Sequence, residues 1–224
     1  MRITVPTAVV FDLGGVLIDW NPRYLYRSLL PDDAAIETFL AEVGFADWNL
    51  GLDAGGDWDE AVDRLATRHP DRRALIEAFR DRWTETLGQA IEPTVRVLRE
   101  LVDGRVRTFA LSNWSAHSFA IARPRFDFLD WLDGIVVSGE IGVTKPDPTI
   151  FRALLGRYHL EPGDTVFVDD LPRNVDAARE LGLIGLRFED AADLRRQLAA
   201  LGLPVAASEP VARAPVSRPG GPRS

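Results

Sequence analysis

The stretch AVVFDL, residues 8–13, is a short apolar run with one carboxylate, Asp12, near its end. A run of this length is typical of a strand buried on both faces of a sheet. The stretch TVFVDD, residues 165–170, repeats the pattern and ends in two aspartates. Three further apolar runs predict strands at residues 106–112, 135–139 and 184–188.

Helical patterns alternate with these strands. They cover residues 93–104, 147–160, 172–182 and 191–202. Apolar strands that alternate with helices predict an α/β fold, in which a parallel sheet is covered by helices on both faces.

The segment between the first predicted strand and the rest of the sheet has a different pattern. Residues 20–90 contain four helical patterns and no convincing strand, which indicates a helical insertion. An insertion at this point lies at the carboxyl edge of the sheet, where open α/β folds bind their ligands. Four of the chain's six tryptophans fall in it, and packing is the commoner role of such residues: Trp20, Trp48, Trp58 and Trp83.

Composition limits the possible partners. The net charge is -8 and the pI is about 5.0, so neither nucleic acid nor an anionic membrane is an expected partner. The chain has no cysteine, which excludes disulfides, thiolate metal sites and cysteine nucleophiles. No apolar stretch is long enough for a secretory signal or a membrane span, and we expect a cytoplasmic protein.

Polar residues stand at the carboxyl ends of the predicted strands. Asp12 ends the first, Ser112 and Asn113 the second, and Asp169 and Asp170 the fourth. Parallel strands bring these ends to one rim of the sheet. Clustered carboxylates repel each other unless a cation neutralises them, and oxygen ligands of this kind suit Mg²⁺.

One lysine joins this group. Lys145 follows the third strand and can neutralise a nucleophile and hold an anionic group. The Ser112 hydroxyl and the backbone N–H groups around Asn113 can donate to phosphoryl oxygens. A carboxylate that faces a metal-bound phosphate can attack phosphorus and form an aspartyl-phosphate.

In order along the chain, FDLGGVL, LSN, TKPDPTIF and VFVDD resemble the four motifs of the haloacid dehalogenase-like hydrolase superfamily. The resemblance covers residues 8 to about 202 and implies a Rossmann-like core of residues 1–18 and 91–204. It implies an α-helical cap at residues 19–90. The Pro- and Arg-rich tail, residues 205–224, is expected to be disordered.

The resemblance also implies roles for the site residues. Asp12 would be the catalytic nucleophile, Lys145 the lysine that stabilises its charge, and Ser112 a phosphate binder. Mg²⁺ would lie on Asp12, on the backbone carbonyl of Gly14 and on Asp170. Asp169 would be a direct or an indirect partner of the metal.

Gly14 departs from the family pattern. Most phosphatases of this superfamily carry a second aspartate at this position, which protonates the leaving group and then activates water. Three interpretations therefore stay open: a phosphatase with another proton donor, a 2-haloacid dehalogenase, and a weakened binding or regulatory module. The acidic pair in the fourth motif argues against the dehalogenase. Asp19 and His117 are candidate substitutes for the missing acid.

The expected substrate is a small phosphorylated metabolite, such as a sugar phosphate, because a cap that closes over the site excludes larger partners. Arg23, Asn113 and Trp114 are expected to contact it. The Gly- and Asp-rich segment at residues 48–57 is expected to be a mobile loop of the cap. The chain is expected to be a monomer or a homodimer.

Overall fold

A computed structural model describes residues 5–206. Its centre is a five-stranded sheet with the order β5-β4-β1-β6-β7, and every pair of neighbouring strands is parallel. The α/β fold class predicted from the sequence is confirmed. The strands of this sheet are β1 (Ala8–Phe11), β4 (Arg107–Ser112), β5 (Gly134–Val137), β6 (Thr165–Asp169) and β7 (Ile184–Arg187).

The central strand β1 is completely buried because both faces of the sheet are covered. Val9 and Phe11 belong to one hydrophobic cluster, and Ala8 and Val10 belong to the other. This alternation follows from the two-residue period of a strand. The helices of the core are α6 (Glu92–Asp103), α7 (Ala116–Ala122), α8 (Ser138–Ile141), α9 (Pro148–Tyr158), α10 (Pro172–Glu180) and α11 (Ala191–Ala200).

The two faces are covered by different helices. Val97 and Leu98 of α6 join the cluster of Val9, together with residues of α11. Ile150 and Leu154 of α9 join the cluster of Val10. At about 25 cal/mol per Å² of buried apolar area, these two layers provide the main favourable contribution to the free energy of folding.

The insertion is more structured than the sequence predicts. It contains five α-helices instead of four, and a two-stranded antiparallel sheet closes its base. The two strands, IDW and LGQA, mix apolar and polar residues and are only partly buried, so neither forms a recognisable apolar run in the sequence. The elements are β2 (Ile18–Trp20), α1 (Arg23–Tyr26), α2 (Asp33–Glu42), α3 (Phe45–Asp53), α4 (Trp58–Arg68), α5 (Arg73–Asp81) and β3 (Leu87–Ala90).

Helix α3 corrects the expectation of a mobile loop at residues 48–57. Its apolar residues Phe45 and Leu52 are buried, and the Phe45 ring packs edge-on against Phe79 of α5 with 5.1 Å between ring centroids. Trp48 contacts the same two phenylalanines. Burial of these aromatic side chains outweighs the low helix propensity of Gly51.

The predicted disordered tail lies almost entirely outside the described residues. Its first residues, Val205 and Ala206, are described, and the Ala206 N–H donates to Glu100 Oε2 at 2.8 Å. Within residues 5–206, no helix has the length and apolar character that a membrane crossing requires.

Candidate active site

Three polar side chains meet at the carboxyl edge of the sheet, as predicted. Asp12 directly follows β1, Ser112 ends β4 and Asp169 ends β6. β1 pairs with both of the other strands, so these three positions are neighbours. The parallel arrangement of the central strands therefore builds the site.

Hydrogen-bond donors surround one oxygen of the Asp12 carboxylate. Oδ1 accepts the Leu13 N–H at 2.7 Å and the Ser112 hydroxyl at 2.9 Å, and Lys145 Nζ lies 3.0 Å away. Within residues 5–206, no hydrogen bond reaches Oδ2. The carboxylate is thus fixed through one oxygen, while the other is left for a metal ion or a substrate.

Lys145 lies between two carboxylates. Its Nζ is 2.6 Å from Asp169 Oδ2, and the side chain has no exposed surface. It is the only lysine in the chain. The other basic side chains are arginines and three histidines. Burial lowers its pKa, but Asp12 and Asp169 outweigh this effect and raise the pKa above its usual value. Lys145 is therefore charged at neutral pH.

The two aspartates at the end of β6 have different surroundings. Asp169 is fully buried and accepts hydrogen bonds from Asn174 Nδ2 at 3.0 Å and from the Leu171 N–H at 2.9 Å. Asp170 is partly exposed, and burial together with the neighbouring Asp169 raises its pKa. Asp169 holds Lys145, while Asp170 is only partly buried.

The carboxylates can hold a metal ion. Asp12, Asp169 and Asp170 each offer an oxygen, and these oxygens lie within 4.8 Å of one another. Burial raises the pKa of Asp12 to about 7, with Lys145 acting against this rise and Asp169 adding to it. A divalent cation would offset this cost of ionisation, and an all-oxygen donor set suits Mg²⁺.

The two glycines after Asp12 have different surroundings. A Cβ atom at Gly14 would meet no atom within 4 Å, so the space beside this residue is open. Gly15 has φ +75°, and a Cβ there would lie 3.1 Å from Asp170 Oδ2. The backbone therefore approaches Asp170 closely, which only glycine allows without strain.

Asn113 positions the loop that carries Lys145. Its Oδ1 accepts the Lys145 N–H at 2.7 Å, and its Nδ2 donates to the Lys145 carbonyl at 3.0 Å. The peptide bond between Lys145 and Pro146 is cis. Both ends of the Asn113 amide are thus bonded to backbone, and its role as a substrate contact stays a prediction.

A small cavity of about 60 Å³ lies between the insertion and the core, and we call it the inner cavity. Gly14 and Ser112 line it from the core, and Asp53 lines it from α3. Four tryptophans form much of its wall: Trp20, Trp58, Trp83 and Trp114. Three of the four tryptophans of the insertion therefore line this cavity.

A larger cavity of about 520 Å³, the outer cavity, adjoins the inner one. Both are lined by Trp20, Asn49, Asp53 and Asn113. A ligand with its reacting group in the inner cavity can therefore extend into the outer one.

Two of the predicted substrate contacts have partners of their own. Arg23 lines the outer cavity, but its guanidinium forms a two-bond ion pair with Glu37, at 2.5 and 2.8 Å. Trp114 lines the inner cavity and packs against Trp83, with 6.1 Å between ring centroids. Their roles in substrate binding stay predictions.

The two candidate proton donors named from the sequence lie away from the inner cavity. Asp19 accepts the Tyr24 hydroxyl at 2.7 Å. His117 packs beside the ring of Trp58 and lines a separate surface cavity. Among the described residues that line the inner cavity, the only carboxylic acid is Asp53, which sequence reasoning missed.

The fold and these side chains define a hydrolase with an α/β fold and a helical domain inserted after its first strand. The chain belongs to the haloacid dehalogenase-like hydrolase family, whose model matches residues 6–182. The membership expected from the four motifs is confirmed. The insertion is consistent with the α-helical cap that the resemblance implied.

Two relatives of similar length are phosphatases. The chain is 29% identical to a sesquiterpene phosphatase of Aspergillus oryzae, over 82% of this chain and 90% of the relative. It is 28% identical to a D-ribitol-5-phosphate phosphatase of Bacteroides thetaiotaomicron, over 85% and 95%. A haloacid dehalogenase family enzyme of the same bacterium, solved with magnesium and inorganic phosphate, superposes with a TM-score of 0.60. That structure is 21% identical and covers 84% of this chain and 98% of its own.

Proposed function

We propose that the protein removes phosphate from a small phosphorylated metabolite through an aspartyl-phosphate formed on Asp12, with Mg²⁺ as cofactor. By its homology the chain is a phosphatase of the haloacid dehalogenase-like family. The observation that carries the proposal is the cluster of three carboxylates around a buried lysine.

Magnesium is the cofactor that fits this cluster. We assign it to the carboxylates of Asp12 and Asp170 and to the backbone carbonyl of Gly14, with Asp169 completing the group and holding Lys145. The solved relative from Bacteroides thetaiotaomicron, which has the same fold, was obtained with magnesium and phosphate. When bound, the ion supplies positive charge that polarises a phosphoryl group and offsets the repulsion among the carboxylates.

The protein's own donors support an attack by Asp12. Leu13, Ser112 and Lys145 hold Oδ1 and fix the direction of the carboxylate, which leaves Oδ2 without a hydrogen bond within residues 5–206. The Ser112 hydroxyl and Lys145 lie where they can also stabilise the charge of a phosphoryl group. Fixed donors of this kind lower the barrier because they need little reorganisation during the reaction.

The cavities indicate the class of substrate. The inner cavity is small, and its tryptophan walls offer faces to apolar or CH-rich groups. The outer cavity has room for the rest of a small metabolite. The two phosphatase relatives are named for a sesquiterpene and a sugar alcohol, so both chemical types belong in a substrate panel.

A 2-haloacid dehalogenase is the alternative from the same family. Asp12 would then displace halide from carbon and would need no metal. The carboxylates of Asp169 and Asp170 close to Asp12 favour the phosphatase, because they would be repulsive without a cation.

The test is an activity panel with and without Mg²⁺. It covers sugar phosphates, sugar alcohol phosphates and prenyl phosphates, with halide release from 2-chloropropionate as the competing assay. We expect Mg²⁺-dependent phosphate release that Asp12→Asn abolishes and that Asp71→Asn, an exposed aspartate of the insertion, leaves unchanged. Halide release without metal, and no phosphate from any compound, would overturn the proposal.

A further inference from the structure

Asp53 is the last residue of α3 and brings a carboxylate from the insertion into the inner cavity. Gly14 lines the same cavity from the core side. Position 14 is where the family resemblance leads one to expect the acid and base of the reaction, and here it has no side chain. The open space beside Gly14 and the carboxylate of Asp53 therefore belong to one cavity.

Hydrogen bonds fix Asp53 in this position. Its Oδ1 accepts the Ser115 N–H at 3.2 Å, and its Oδ2 accepts from Asn49 Nδ2 at 2.9 Å. Its backbone carbonyl accepts the Ser138 hydroxyl at 2.5 Å. Ser115 and Ser138 belong to the core, so Asp53 is held at the contact between the two parts of the molecule.

The charges around Asp53 suit proton transfer. Burial raises its pKa to about 7, with the Ser115 N–H acting against this rise and Asp12 adding to it. The other charged groups nearby line the outer cavity: Arg23, Glu37 and Arg173. A carboxyl group with a pKa near neutrality can both give and take a proton at physiological pH.

We propose that Asp53 is the general acid and base of this phosphatase, in place of the carboxylate that is absent at position 14. The proposal rests on the proposed function. It makes catalysis depend on the packing of α3 against the core, because only that packing brings the acid to the site.

The proton transfers balance in both steps. Asp12 attacks phosphorus, the bond from phosphorus to the substrate oxygen breaks, and that oxygen takes its proton from Asp53 and leaves as an alcohol. A water molecule then attacks phosphorus and gives one proton to the Asp53 carboxylate. The bond from phosphorus to Asp12 breaks, and its electron pair returns to the Asp12 carboxylate.

The competing explanation is that Asp53 only fastens the insertion to the core. Asp53→Asn separates the two roles, because its amide oxygen can still accept the Ser115 N–H but the side chain cannot transfer a proton. Ser138→Ala is the matched control, since it removes a bond of the same contact and leaves the carboxyl group in place.

The experiment compares two leaving groups. An alkyl phosphate needs a proton on its leaving oxygen, whereas p-nitrophenyl phosphate needs little help. For Asp53→Asn we expect kcat with the alkyl phosphate to fall by about 100-fold or more. We expect the nitrophenol burst to be largely retained, with phosphorylated enzyme accumulating because water is not activated.

The pH dependence completes the test. We expect kcat/KM of the wild type for the alkyl phosphate to decline above a pH of about 7, where Asp53 loses its proton. This decline should disappear in Asp53→Asn.

Several results would overturn the proposal. One is an equal loss with both substrates and an unchanged pH profile; another is a loss that Ser138→Ala reproduces. If Asp53→Asn does not fold, the wild type alone decides. A kcat/KM for the alkyl phosphate that does not decline near neutral pH would also overturn the proposal. Failure of the proposed function is distinguishable, because the wild type itself would then release no phosphate.

Discussion

Lys145 Nζ lies 3.0 Å from Asp12 Oδ1, and both side chains are almost completely buried. The same ammonium group contacts Asp169 at 2.6 Å, so two carboxylates share one positive charge. Removal of one member of a buried ion group leaves the others uncompensated and is strongly destabilising.

For Lys145→Met we therefore expect the free energy of unfolding at pH 8 without metal to fall by about 3 kcal/mol. Urea unfolding monitored by circular dichroism measures it. Arg64→Met is the control, because the exposed pair of Arg64 with Glu60 should contribute less than about 1 kcal/mol. Equally small changes in the free energy of unfolding of the two variants would show that Lys145 is not the buried partner of Asp12 and Asp169.

The adjacent glycines give a matched pair of substitutions. Gly15→Ala should cost about 1–2 kcal/mol, because an alanine at φ +75° is strained. The added Cβ should also displace Asp170 and weaken Mg²⁺ binding. Gly14→Ala should have little effect on the free energy of unfolding, since its Cβ would meet no atom. Thermal unfolding with and without Mg²⁺ tests both, and equal effects would contradict the geometry of this turn.

The metal dependence should vary with pH. Burial raises the pKa of Asp12 to about 7 from 3.8, so between these values the native state binds protons that the unfolded state releases. The free energy of unfolding of the metal-free protein should therefore fall as the pH rises through this window. A bound cation favours the ionised carboxylates and removes this loss.

We thus expect Mg²⁺ to raise Tm more at pH 8 than at pH 5, and Asp170→Asn to reduce the increase. Scanning calorimetry with EDTA or with Mg²⁺ measures both. The same increase in Tm at both pH values, unaffected by Asp170→Asn, would place the ion elsewhere.

Asn113 should act through Lys145. Both ends of its amide bond the Lys145 backbone, so Asn113→Ala should displace the lysine and lower kcat by about 10- to 100-fold, with little change in KM. Asn21→Ala removes a comparable bond of a side-chain amide to backbone in the insertion and serves as the control. A raised KM at unchanged kcat would instead support the direct substrate contact predicted from the sequence.

The sheet and the residues along its edge could be predicted because each depends on local sequence. Strands β1 and β6 are buried on both faces, so they appear as uninterrupted apolar runs. Because they are parallel neighbours in the sheet, Asp12 and Asp169 lie close together independently of how the insertion folds. The strands β2 and β3 escaped prediction because they are only partly buried, and their mixed residues form no apolar run.

Asp53 could not be predicted for a different reason. Its segment, residues 48–57, is rich in glycine and aspartate, and no local pattern distinguishes one of these carboxylates from the others. Its position depends on tertiary packing of α3 against Ser115, which precedes α7, and against Ser138 at the start of α8. Sequence spacing alone therefore directed attention to Asp19 and His117, which lie elsewhere.

The central claim is that the Asp12 carboxylate becomes phosphorylated. The most direct test is to mix excess wild-type enzyme with p-nitrophenyl phosphate and Mg²⁺, quench with acid within one turnover, and locate the phosphoryl group by mass spectrometry of peptides. We predict one phosphoryl group on the peptide that carries Asp12, absent from Asp12→Asn and from samples with EDTA. Nitrophenol release without any phosphorylated Asp12 peptide, or a phosphoryl group on another residue, would contradict the account.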